Sequence, residues 1–143
     1  MEACDGQDRF CCTLSHVLNL FGCCFRHEPV DTVQSVIRAQ IKAFLEDDAD
    51  TAYSFASPAI RTKFPDKVVF FEMVKRSYQH LYRPGNFAFG RSKVLGDEVF
   101  QEVLISGSDG KDWTAIYDLV EQPDGSYKIN GVMMLQTASG PQL

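Results

Sequence analysis

The sequence predicts an α+β domain in which three N-terminal helices pack on a curled four-stranded antiparallel sheet. Apolar residues recur at helical spacing up to Ser77 and alternate at period two from Phe87 onward. Only short Gly-Asp, Asp-Gly or Pro-Asp-Gly turns separate the alternating runs. Short turns make consecutive strands antiparallel neighbours, so one apolar sheet face is left to meet the helices.

The first helix is expected from Asp31, whose carboxylate can cap the first-turn amides while Gln34 reaches back in a capping box. Val33, Val36, Ile37, Ile41, Phe44 and Leu45 form its apolar side, opposite Arg38, Lys42 and Glu46. Asp47 and Asp48 are poor helix formers and good caps, so they mark a corner before a second helix over Ala49 to Ala56. Ser57-Pro58 stops that helix, and Ile60 and Phe64 allow one further turn. A third helix is expected over Asp66 to Ser77, with Val69, Phe70, Met73 and Val74 inward, and Pro84-Gly85 turns the chain into sheet.

Four strands follow, over Phe87 to Leu95, Val99 to Ser106, Asp112 to Gln122 and Tyr127 to Gln136. Parity puts Val99, Gln101, Val103 and Ile105, then Trp113, Ala115, Tyr117 and Leu119, then Tyr127, Ile129, Gly131, Met133 and Leu135 on the helix side. Glu102, Asp112, Thr114, Asp118, Lys128 and Asn130 face outward, as on a solvated or dimer-forming face. Gly107 and Gly131 are places where a bulge would shift this register.

A chain of 143 residues, 45% hydrophobic and 23% charged, fits one domain over residues 31–136. Residues 1–30 read as a cysteine-rich extension expected to be poorly ordered, and residues 137–143 as a flexible tail. The net charge of -5 and the scattered Lys and Arg argue against nucleic acid. All 5 cysteines lie before residue 25, in an arrangement ill suited to a disulfide framework, so a reducing, cytoplasmic setting is expected. An organelle or a membrane-peripheral location stays open. The apolar run Phe10 to Phe25 is too short to span a bilayer, and Glu2, Asp5 and Asp8 stand where a signal peptide would be basic.

Several motifs taken in order resemble one family. They are Val36-Ile37-Arg38-Ala39-Gln40-Ile41, Phe55-Ala56-Ser57-Pro58, Tyr82-Arg83-Pro84, Gln101-Glu102-Val103-Leu104, Asp112-Trp113 and Gln122-Pro123-Asp124-Gly125. Over Thr32 to Leu135 they are similar to the domain of unknown function 4864 family, within the nuclear transport factor 2-like (cystatin-like, SnoaL-like) superfamily. The resemblance implies a cone-shaped fold with a pocket between sheet and helices, and no particular reaction. Related cone enzymes use an inward Asp or His.

The inner sheet face offers neither, since its polar members are Gln101, Trp113, Tyr117 and Tyr127, which argues for a module that binds a small apolar ligand without chemistry. Gln40, Tyr53, Arg83, Gln101, Trp113 and Tyr117 are the candidate ligand contacts. The alternative is an isomerase, cyclase or hydratase with His80 as base beside Tyr78 or Tyr82, and Arg83 as anion contact. No cofactor is expected. Asp47, Asp48 and Asp50 lack the Gly and distal Glu of a calcium loop, and the vicinal cysteines fit zinc poorly. Cys11, Cys12, Cys23 and Cys24 among large apolar residues instead suggest acylation, a third reading that would make the chain a peripheral membrane protein. Homodimerisation through the outer face is also expected, because Thr114, Ile116 and Val120 interrupt its charges.

Overall fold

The structure, a computed structural model, describes residues 28–136. The acylation candidates Cys11, Cys12, Cys23 and Cys24, most of the N-terminal extension and the 137–143 tail lie outside the described residues.

Helix α1 runs over Pro29–Leu45. It begins two residues before the expected cap because proline at the first helical position needs no amide partner and already has helical φ. Asp31 therefore sits within the first turn, and the capping box does not form; Gln34 donates to Gln101 Oε1 at 3.2 Å instead. Val33, Ile37, Gln40, Ile41 and Phe44 are buried, each large apolar side chain contributing about 1.5–3 kcal/mol of transfer free energy. Leu45, expected on this stripe, is 48% exposed because the helix ends there. Asp48 N donates to Ala43 O (2.8 Å) and Asp47 N to Phe44 O (3.2 Å), a Schellman ending that puts Asp47 at φ 57°.

The three expected helices become five among the described residues. Asp48 caps α2 (Ala49–Ser54), and Ser57 caps α3 (Pro58–Lys63) through the Ile60 amide, so the residue expected to stop one helix also starts the next. Asp66 caps α4 (Lys67–Ser77), which Tyr78 separates from the single turn α5 (Gln79–Tyr82). On α4 the buried residues are Phe70, Phe71 and Val74, whereas Val69, expected inward, is 54% exposed.

Strands β1 (Pro84–Leu95), β2 (Glu98–Gly107), β3 (Asp112–Glu121) and β4 (Tyr127–Gln136) pair in sequence order, all antiparallel. The expected inner faces of β2 and β3 hold. On β4 the expectation fails past its middle: Leu119 pairs with Ile129 but Asp118 pairs with Gly131, so Asn130 is an extra residue. Beyond this bulge the parity flips. Val132 and Met134 pack on the core, and Met133, expected inside, is 61% exposed. The edge of β4 beside the bulge is covered by a parallel bridge from Ala56, with Ile129 N donating to Phe55 O (2.7 Å) and Ser57 N to Ile129 O (2.8 Å).

Tyr117, Phe44, Ile37, Ile41, Ile105 and Leu119 fill the middle of the cone. No helix among the described residues is long and apolar enough to cross a membrane.

Candidate functional site

The open space lies beside the filled centre. A cavity of about 360 Å³ opens between β4 and the helices. Its floor is Gln40 and Phe44 of α1, and one wall is Ile60, Lys63 and Phe64 at the end of α3. Phe70, Met73, Val74 and Ser77, at i, i+3, i+4 and i+7 of α4, line it as well, together with Tyr78 and Leu81. Ile129 to Val132 complete it from the sheet, so the bulge itself shapes the cavity.

Three of the polar side chains that line it are already engaged. Gln40 Nε2 donates to Ala52 O at 3.3 Å, and Tyr78 donates its hydroxyl to Val132 O at 3.2 Å. Asn130 accepts from Ser57 Oγ and donates to Asp118 Oδ2, each at 3.1 Å. No Asp, Glu, His or Cys lines the cavity among the described residues. Rings of Phe64, Phe70 and Tyr53 pack edge-on and tilted at the α3/α4 end, which fixes that wall.

Of the residues singled out from sequence, Gln40 and Tyr78 line this cavity and the others lie elsewhere. Tyr53 donates to Phe64 O at 2.6 Å and packs its ring on Phe70 without lining the cavity itself. Gln101 is buried beside a bulge in β1, where Phe89 pairs with Val103 and Ser92 with Gln101; its Nε2 lies within hydrogen-bond distance of Gly90 O (3.3 Å), Arg91 O (3.2 Å) and Glu102 O (2.8 Å). The Tyr117 hydroxyl is fully buried with no hydrogen-bond partner among the described residues, and burial pushes its ionisation well above the usual phenol range.

The proposed base and its neighbours point in different directions. His80 stacks on Trp113, ring centroids 4.4 Å apart at 22°, against the turn between β2 and β3. Tyr82 donates to the Asp47 carboxylate, and Arg83 holds the same carboxylate at 2.9 Å while also donating to Phe44 O. That clamp closes the α1 corner. The Tyr82 hydrogen bond, then the Arg83 charge, hold Asp47 below the usual carboxylate range, and the same carboxylate holds the Tyr82 phenol up.

Lys63, Phe64, Phe70, Met73 and Asn130 were not among the residues the sequence singled out as ligand contacts. Two signals pointed to them: the four-residue spacing of Ile60 and Phe64, and a bulge-prone glycine after Asn130.

Comparison with known proteins agrees with this architecture. The family model described as "Domain of unknown function (DUF4864)" matches residues 27–141. An NTF-2 like protein of unknown function from Silicibacter pomeroyi superposes with a TM-score of 0.54 at 12% identity, covering 76% of this chain and 95% of that one. An NTF2-like protein of unknown function from Shewanella baltica gives a TM-score of 0.53 at 9% identity, covering 80% of this chain and 100% of that one. At such identities the likeness is one of fold. No curated protein matches the chain.

Proposed function

From a chain that belongs to the DUF4864 family and has an NTF2-like α+β fold, we propose a small-molecule-binding module that holds its ligand in the cavity between α3, α4 and β4. The observation that carries this is the character of the cavity. About 360 Å³ is within the range of ligand sites, and the walls are apolar with a few fixed polar groups. Binding is favoured over turnover because a general acid or base must reach the bound molecule, and the lining residues include no carboxylate or imidazole. The enzyme alternative with His80 as base draws less support, since that ring lies on Trp113 outside the cavity.

Native mass spectrometry of protein purified from its own cells tests this reading. A stoichiometric small molecule that is released on denaturation and absent from Met73→Trp is the expected result. Equal occupancy of wild type and Met73→Trp would place the ligand elsewhere.

A second reading, self-association through the outer sheet face, is supported by one row. Leu104 pairs with Thr114 and Thr114 with Leu135, flanked by Met133, and Leu104, Leu135 and Met133 are 46%, 48% and 61% exposed. A two-fold pair would bury the same row on both copies. Sedimentation equilibrium is expected to show a dimer that Leu104→Lys dissociates; a wild-type monomer at all concentrations would contradict it.

A further inference from the structure

We propose that the cavity takes an amphipathic carboxylate, with its chain among the α4 and β4 side chains and its acid group at Lys63. The inference rests on the reading of the cavity as a ligand site and adds the chemical class.

The first argument is charge. Lys63 lines the cavity, and its ammonium lies 6.0 Å from the ring of Phe64, another lining residue. The neighbouring cations are committed: Arg61 donates to Ser54 O at 3.0 Å, Lys67 binds Asp50, and Lys75 binds Glu72 at 3.2 Å. Lys63 makes no ion pair among the described residues. Among the lining residues an anion meets the Lys63 ammonium and no carboxylate, whereas an ammonium ligand meets no lining counter-charge; Asp118, behind Asn130, is held by that residue's amide.

The second argument is where the acid can sit. Around the cavity the Gln40 amide, the Asn130 amide and the Tyr78 hydroxyl each already donate to a protein acceptor, so they offer a carboxylate less than a free ammonium does. Lys63 is exposed, and a head group beside it keeps water as well as a charge-assisted hydrogen bond. The chain then lies along Met73 and Val132.

The third argument is size. A cavity of about 360 Å³ lies in the range that takes small ligands, which suits a medium-length chain such as that of decanoate.

Calorimetric titration of decanoate, decanol and decylamine into the full chain tests the class. Decanoate is expected to bind about tenfold tighter than decanol, with decylamine weakest. Lys63→Met is expected to bring decanoate to the level of decanol and leave decanol unchanged. Met73→Trp on α4, and Ile60→Trp on α3, are expected to abolish binding of all three. Equal affinities for decanoate and decanol, unmoved by Lys63→Met but lost in the tryptophan variants, would overturn the carboxylate class and leave the cavity as the site. Binding that survives both tryptophan variants, or no binding of any of the three to wild type, would overturn the class and the site together.

Discussion

Tyr78 donates its hydroxyl to the carbonyl of Val132 across 3.2 Å, joining the break between α4 and α5 to β4 immediately past its bulge. This bond spans the back of the cavity and fixes the distance between helix wall and sheet. Tyr78→Phe is expected to cost about 1 kcal/mol in urea unfolding, the net worth of a part-buried hydrogen bond. A loss above ~3 kcal/mol would mean that the hydroxyl does more than this one contact.

Gln101 is a structural polar residue. Its amide serves the carbonyls of Gly90 and Arg91, the two residues of the β1 bulge, and accepts from Gln34 of α1. Gln101→Leu would leave these part-buried carbonyls without that donor, at about 1 kcal/mol, and is expected to speed amide exchange around Gly90 and Arg91. Unchanged exchange there would contradict this role.

The Asp47 clamp carries a pH signature. Hydrogen bonding from Tyr82 and the Arg83 charge lower the Asp47 pKa in the folded chain below its ordinary 3.8. Its contribution is therefore present above that value and is lost as pH falls through the lowered one. Tyr82 is raised above its ordinary 10.0 by the same carboxylate, so its contribution is present below 10.0 and is lost as pH rises through the raised value. Asp47→Asn suits the positive φ and keeps an acceptor for Tyr82, but removes the charge. Melting temperatures are expected to favour wild type near neutrality and to converge with the variant at acid pH. A constant gap from pH 2 to 7 would contradict the assignment.

His80→Ala is expected to leave decanoate affinity unchanged while altering the fluorescence of Trp113, the sole tryptophan, on which the imidazole stacks. A large loss of affinity would return His80 to the site.

The layer order, strand pairing and inner faces of β2 and β3 were legible because period-two alternation and short turns are local signals. The inner face of β4 was not, because a single extra residue at Asn130 reverses parity and its only trace is the following glycine. The reversal shapes the cavity's sheet side, which explains why counting inward strand residues pointed at the buried Gln101 and Tyr117 and at Trp113 by the β2–β3 turn and missed Asn130. Tyr82 read as a neighbour of the His80 base and Arg83 as an anion contact; Asp47, distant in sequence, captures both. Long-range pairing of this kind has no period to read.

The most direct test is a methyl-resolved NMR titration of decanoate into the labelled protein. The account predicts saturable shifts at Met73, Ile60 and Ile129, which line the cavity, with Met133 on the outer sheet face unmoved. Shifts centred on Met133 and Leu135, or none at Met73, would contradict it.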